Sequence, residues 1–260
     1  MSEAAARELL TPAELAGAPR LTMTAAEFGQ DAAGLATLNE WLGSVDAETR
    51  VRWSLQNLPG PFALTSSFGA QAAVSLHLVA RQDPQIPVIL IDTGYLFPET
   101  YQFIEQLRQQ LSLNIQPFAS PQPVPEFEAQ YGKLWEQGRE GLDQYLELRK
   151  LEPMRRSLMS LGINTWFAGL RRSQAASRAA LNPLEVRDGR FKVHPIFDWS
   201  DRDVYLYLKA HGLPYHPLWD KGYISIGDWH STKALHEVES ADELRFSGLK
   251  RECGIHGLEG

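Results

Sequence analysis

Along this chain the spacing of apolar positions changes near residue 60. Residues 1–58 carry apolar side chains at helical intervals and contain no strand-like run. In SVDAETRVRWSLQNLPG, Val51, Leu55 and Leu58 fall at i, i+4 and i+7 on one face. Asp46 is placed to cap the start of that helix and Pro59-Gly60 to end it. From residue 61, short β-branched runs alternate with helical segments. FALTSSFG reads as a strand opening into a Ser/Gly loop, and AQAAVSLHLVARQ as a helix apolar nearly all round, hence buried. IPVILIDTG has the β-branched texture of a central parallel strand with its exit loop, and Phe97-Pro98 opens the next helix. LNIQPF and TWFAGL are further strands; FKVHPIF is another, interrupted by Pro195 and therefore assigned to a sheet edge. WSDRDVYLYLKAHGLP predicts a helix capped by Ser200 with Asp203 and stopped by Gly212 and Pro214. Val204, Tyr207, Leu208 and His211 form its inner face.

Strands alternating with helices predict an α/β fold, a mostly parallel sheet flanked by helices. Three regions are expected: a helical segment over 1–58 packed on the main domain, an α/β domain over 59–240, and a C-terminal tail over 241–260. Composition narrows the classes. With 43% hydrophobic and 22% charged residues the chain is an ordinary globular protein, and no run approaches the roughly 20 apolar residues of a membrane span. The opening MSEAAARELLTPAELAG carries acids and lacks an apolar stretch, so it does not read as a signal peptide, and a single cysteine makes a reduced cytoplasmic setting the expectation. A net charge of −7 argues against a general nucleic-acid binder. The one cysteine, Cys253, excludes an intrachain disulfide framework, and also an all-cysteine iron–sulfur cluster within one chain, which needs four thiolates.

The candidate chemistry sits in loops. TSSFGAQAA lies where a strand meets a helix: Ser66, Ser67 and Gly69 suit close approach of an anion to backbone N–H groups, or simply make a tight β–α turn. Asp92-Thr93-Gly94 follows the next strand, and ligands of open α/β sheets collect outside the carboxyl ends of strands. GLRRSQAASR brings Arg171, Arg172 and Arg178 just beyond a third strand, in an acidic chain, and guanidinium groups grip phosphate or sulfate bidentately. Lys133, and Lys150 beside Glu152, read alone as surface lysines; His194, His216 and His230 show no metal-ligand spacing. In KRECGIHGLEG, Lys250, Arg251 and His256 surround Cys253 with groups that favour the thiolate, and Gly254, Gly257 and Gly260 suit a moving tail. That combination suits a nucleophile delivered to a bound substrate.

Taken together, SSFGAQAAVSLHLV, DTGYLFPETYQFI, YGKLWEQG, KLEPM, TWFAGLRRSQAASRA, YHPLWDKGY and KRECGIH resemble the thioredoxin-dependent 3′-phosphoadenosine 5′-phosphosulfate (PAPS) reductases of bacterial assimilatory sulfate reduction, from about residue 45 to the end. The resemblance implies an adenine nucleotide α-hydrolase-like domain, a homodimer, no bound metal or flavin, and reduced thioredoxin (or glutaredoxin) as electron donor. It implies Cys253 as the nucleophile that takes up the sulfonate group as a thiosulfonate. It places Ser66, Ser67, Gly69, Gln71, Asp92, Thr93, Gly94, Lys133, Lys150, Arg171, Arg172, Arg178, Arg245, Lys250, Arg251 and His256 around the substrate. Three departures and contrasts matter. The first loop lacks the S-G-G-x-D-S of ATP pyrophosphatases, so cleavage of ATP is not expected. The stretch GYISIGDWHST has Trp229 where the family usually has threonine. The position before KLEPM reads Tyr145-Leu146-Glu147-Leu148, without the cysteine pair that reductases of adenosine 5′-phosphosulfate (APS) use for a [4Fe–4S] cluster. PAPS is therefore the expected substrate; APS reduction, a nucleotide-binding regulator without chemistry, and a sulfurylase-type ATP enzyme are the rival readings.

Overall fold

Six short strands hydrogen-bond into one sheet in the order β3-β2-β1-β4-β6-β5. They are β1 (Phe62–Thr65), β2 (Pro87–Asp92), β3 (Asn114–Ala119), β4 (Thr165–Ala168), β5 (Leu184–Arg187) and β6 (Arg190–Val193). All pairs are parallel except β5–β6. The computed structural model describes residues 24–249 together with Thr11 and Ala18. Its helices are α1 (Ala25–Phe28), α2 (Ala32–Ser44), α3 (Ala47–Asn57), α4 (Ala73–Ala80), α5 (Pro98–Leu111), α6 (Val124–Tyr131), α7 (Gly138–Leu146), α8 (Glu152–Ser160) and α9 (Asp201–Ala210). A π-helical stretch, Glu147–Leu151, joins α7 to α8.

The alternation of side chains along each strand sorts the core into two layers. Leu64, Val88, Leu90 and Phe167 face one way, into a large core with Leu38 and Leu42 of α2, Val51 and Trp53 of α3, Phe103 of α5 and Val204 of α9. Ala63, Ile89 and Trp166 face the other way, against Met154 and Leu158 of α8. The caps behave as the sequence predicts: Asp46 Oδ1 accepts from Thr49 N at 2.7 Å, and Ser200 and Asp203 close a full capping box. Helix α4 is buried on nearly every side, because it lies between the sheet, α3, α5 and α9. The helices of residues 24–57 share the main core, and Arg50, 2% exposed, pins them to it. Its guanidinium donates to the Leu42 and Pro195 carbonyls and bidentately to Asp198.

Two readings of the pattern need correction. Strand β6 ends at Val193, before Pro195, and is flanked by β4 and β5, so it is an inner strand. The edge is β5, joined to β6 by a hairpin turn at Asp188-Gly189, both left-handed with φ of 49° and 70°. That Asp-Gly pair between alternating apolar residues is a strong hairpin signal. His211 follows α9 and is exposed, its ring against Tyr207 and His77. The two sheet edges are closed differently. On β5 the Asn39 side chain accepts from Leu184 N (2.8 Å) and donates to Leu184 O (3.0 Å); on β3, Pro117 occupies the middle of the strand. Among the described residues no helix is long and apolar enough to cross a membrane.

Candidate active site

In the strand order, the chain leaves β1 to one side for β2 and β3 and to the other for β4, so the loops after β1, β2 and β4 meet at the carboxyl end of the sheet. That is where crevices form in open α/β sheets. After β1, Ser66 N still reaches Ile89 O at 3.1 Å, and Ser66 Oγ accepts from Phe68 N. Phe68 is fully buried with φ of 50°, so its ring pins the loop to the core while the backbone turns back. Ser67 is left exposed and Gly69 half-exposed. A Cβ on Gly69 would meet the Ile226 carbonyl at 3.4 Å and Ser67 Oγ at 3.7 Å, both ordinary contacts, so no protein atom demands a glycine there. His216 holds the same loop from below, its N–H donating to Ala70 O at 3.0 Å. Its ring is fixed by Leu218 N–H donating to Nδ1, leaving Nε2–H for Thr100 Oγ1.

After β2 the triplet splits in function. Asp92 accepts from Gly94 N–H and from the Tyr101 hydroxyl, both at 2.8 Å. Gly94 is left-handed (φ 77°), and a Cβ there would strike Val124 and crowd Arg149. Thr93 turns inward: its hydroxyl donates to Asp228 Oδ1 at 2.6 Å, and its carbonyl accepts from Arg149 Nε at 3.0 Å.

Asp228, fully buried, is the hub beneath these loops. Lys150 Nζ lies 2.6 Å from Oδ2, and the Tyr145 hydroxyl donates to the same oxygen at 2.9 Å. Burial pushes the Asp228 carboxyl up, but the adjacent Lys150 ammonium and the Lys150 and Thr93 hydrogen bonds outweigh it and hold it down at about 2. Tyr145 is driven well above 10 by burial and by the Asp228 carboxylate, so it stays a neutral donor. Lys150 belongs to the π-helical stretch, a local widening of the helix common at functional sites. The site is also rich in cations. Arg149 lies over the Tyr95 and Phe127 rings, and the Arg245 guanidinium rests against Gly227, where any Cβ would collide with it. His230 stacks on Trp135 with centroids 3.9 Å apart, and neither of its buried ring nitrogens has a hydrogen-bond partner. Burial first, then Lys150 and Arg245, depress it to about 4 against the pull of Asp228, so it is neutral at pH 7.

The arginine loop after β4 divides as well. Arg171, 2% exposed, donates to Gln71 of the first loop, to Asp201 at 2.9 Å, and to Ser173 and the Trp199 carbonyl. Arg172 turns to the opposite side, donating to Leu181 O at 2.7 Å over the Phe197 ring, beside a groove along α2. Arg178 donates to Gln174, and Lys133 is exposed, paired with Glu136 at 3.6 Å. Ser66, Ser67, Gly69, Gln71, Arg171, Asp92 and Gly94 therefore gather at the strand ends, with Thr93, Lys150 and Arg245 behind them; Arg172 and Lys133 stand apart. Lys250, Arg251, Cys253 and His256 lie outside the described residues. Sequence reasoning missed Asp228, Arg149 and Tyr145. The first stands in an aperiodic Gly/Ser-bearing stretch, and the others look like ordinary helix residues until folding buries them.

Known proteins resemble this arrangement closely. A family model, the phosphoadenosine phosphosulfate reductase domain, matches residues 61–234. The phosphoadenosine 5′-phosphosulfate reductase of Yersinia enterocolitica is 58% identical over 227 residues, 87% of this chain and 93% of that one. That of Erwinia tasmaniensis is 59% identical over 222 residues, 85% and 91%. Among solved structures, the PAPS reductase of Candida auris superposes with a TM-score of 0.70 at 29% identity, covering 83% of this chain and all of that one. The FMN adenylyltransferase of Candida glabrata shares only the fold, with a TM-score of 0.53 at 14% identity, 83% of this chain and 69% of that one. The sheet is thus of the adenine nucleotide α-hydrolase-like kind, with site loops at its switch point, and the chain belongs to the phosphoadenosine phosphosulfate reductase family.

Proposed function

We propose that this protein reduces PAPS to sulfite and adenosine 3′,5′-bisphosphate, with reduced thioredoxin (or glutaredoxin) as donor, no bound metal or flavin, and a homodimeric assembly, in the sulfate assimilation of a bacterial cytoplasm. The observation that carries the reading is the convergence of the loops after β1, β2 and β4 around an excess of buried or half-buried cations in a chain of net charge −7. A dianionic phosphosulfate would lie over Ser67 and Gly69, with Lys150, Arg171 and Arg245 supplying charge. The Candida auris relative is described as a phosphate complex, which fits anion binding in this fold.

The chemistry follows from Cys253. Its thiolate attacks the sulfur of PAPS; the new S–S bond forms as the bond from sulfur to the bridging phosphate oxygen breaks, and adenosine 3′,5′-bisphosphate leaves with that electron pair. A thiolate of thioredoxin then attacks the Cys253 sulfur and sulfite departs. The second thioredoxin thiol closes the donor's own disulfide and returns Cys253 as thiolate, so the two electrons come from the donor. Cys253 is the only cysteine of the chain, so the resolving thiol has to come from another molecule.

Sulfite release measured from PAPS and from APS, each with and without thioredoxin, tests the reading. Turnover of PAPS only with thioredoxin is expected, and Cys253→Ser abolishes it while retaining bisphosphate binding, because the pocket is built from other loops. Activity in the serine variant would overturn the covalent route. Preferential turnover of APS would reassign the substrate.

A further inference from the structure

Asp92, the last residue of β2, is half-buried and stands beside the exposed Gly94. Its Oδ1 accepts twice, from Gly94 N–H and from the Tyr101 hydroxyl, each at 2.8 Å. A carboxylate offers about four lone-pair sites on two oxygens, and among the described residues no donor reaches Oδ2. A group of this sign repels phosphate and sulfate and attracts hydrogen-bond donors. The strand-end loops already have Lys150, Arg171 and Arg245 for an anion, so a carboxylate in their midst suits another part of the ligand. In PAPS the O–H and N–H donors belong to the nucleoside: the ribose 2′-hydroxyl and the 6-amino group of the base. The residues around Tyr101 are fixed independently of it. Glu99 pairs with Lys221 at 3.3 Å, Thr100 Oγ1 lies 3.0 Å from His216 Nε2, and Phe103 is fully buried in the main core. The first turns of α5 thus present the Tyr101 hydroxyl at a set place, while its side chain is 41% exposed.

We propose that Asp92 recognises an O–H or N–H donor on the nucleoside half of the substrate, and that Tyr101 is a positioning residue that holds the Asp92 carboxylate for that contact. The inference rests on the nucleotide reading proposed above and adds to it the group that reads the nucleoside. Gly94 N–H and the Tyr101 hydroxyl both fasten Oδ1, so the carboxylate keeps one rotamer and Oδ2 keeps one direction. A ligand donor placed on Oδ2 makes a charge-assisted hydrogen bond, worth about ten- to a hundredfold in affinity. Losing the Tyr101 hydroxyl frees the carboxylate to turn, which lowers that gain by roughly two- to tenfold.

The test is titration calorimetry of the full chain with three ligands of equal charge. They are adenosine 3′,5′-bisphosphate, its 2′-deoxy analogue, which lacks the hydroxyl, and inosine 3′,5′-bisphosphate, in which a carbonyl replaces the amine. The wild type is expected to bind one analogue about ten- to a hundredfold more weakly than the parent, and the analogue affected identifies the donor. Equal charge means that the ratio cancels the general attraction of the site for anions. Asp92→Asn, which turns an amide N–H toward the ligand donor, is expected to bring the ratio to about one. Tyr101→Phe lowers the ratio roughly two- to tenfold at an unchanged unfolding midpoint, whereas a tyrosine of merely structural use would weaken all three ligands alike. The double variant is expected to match Asp92→Asn alone, because Tyr101 acts through Asp92. If Asp92→Asn fails to fold, Tyr101→Phe decides. A wild type that binds all three ligands alike, a preference that survives Asp92→Asn, or a wild-type ratio in Tyr101→Phe overturns the inference. A wild type that binds none of the three overturns the nucleotide reading itself, and this one with it.

Discussion

Two cation–carboxylate pairs hold this molecule together, and they differ in which partner meets water. Arg50–Asp198 joins the N-terminal helices to the sheet: the guanidinium is buried, but Asp198 is 38% exposed, and Arg50 also has the Leu42 and Pro195 carbonyls. Lys150–Asp228 joins the π-helical stretch to the segment before the tail, and both partners are buried, at 7% and 0%. Removing one partner of the first pair leaves the other hydrated or carbonyl-bonded. In the second it strands a charge away from water, the costlier fault. The first pair behaves as a fastener. The second is a buried joint beneath the loops at the strand ends.

The largest test of that difference is Asp228→Asn, which keeps the shape but leaves the Lys150 ammonium without its counter-charge. It is expected to lose about 3–5 kcal/mol in urea unfolding, whereas Asp198→Asn loses about 1 kcal/mol, because Arg50 retains its carbonyl acceptors. Equal losses would erase the distinction. Next comes acid. His194 and His216 are held neutral by burial, His194 at about 3 and His216 at about 4, below the ordinary 6.5. With the folded values depressed, the unfolded chain binds more protons below pH 6.5, and stability present above that value is lost as pH falls. Near pH 5 these two groups give a slope of about 2 kcal/mol per pH unit; a flat profile between pH 6 and 4.5 would contradict their burial. The Asp228 pair adds its loss only later, between about pH 4 and 2.

A comparison within the arginine loop sharpens the ligand side. Arg171→Ala is expected to weaken bisphosphate binding by about 1.5–3 kcal/mol, roughly ten- to a hundredfold, and Arg171→Lys recovers only part. Arg172→Ala, whose side chain faces the α2 groove, changes it less than about twofold. Equal losses in titration calorimetry would mean that both reach the ligand. The smallest effect is expected at Trp229, 49% exposed on the rim: Trp229→Thr leaves stability within about 0.5 kcal/mol, so any change in the PAPS-to-APS rate ratio reports contact with substrate.

What the sequence disclosed follows the range over which its signals act. Helix caps at Asp46 and Ser200 and the strand runs of β1 to β4 depend on neighbours a few residues away, and they stand where the pattern puts them. The Ser/Gly, Asp-Thr-Gly and arginine loops were legible because each follows a strand directly. Asp228 was not, since its partners Thr93, Tyr145 and Lys150 are 135, 83 and 78 positions away, and no local periodicity marks a carboxylate whose counter-charge comes from another element. The same holds for Arg171 and Arg172: the first is extended and the second opens a 3-10 turn, their side chains take different partners, and only the fold shows which of them meets the first loop.

Asn39 has a consequence for the protein in concentrated solution. A sheet edge is an open template onto which another chain can add a strand, and aggregation often begins there. By bonding both the N–H and the carbonyl of Leu184, Asn39 occupies two of the hydrogen-bonding groups an incoming strand would need on β5. On the opposite edge, Pro117 removes a donor from the middle of β3. Each edge of the sheet is thus a poorer template for a second copy, and Asn39 contributes to that colloidal security without touching the strand-end loops.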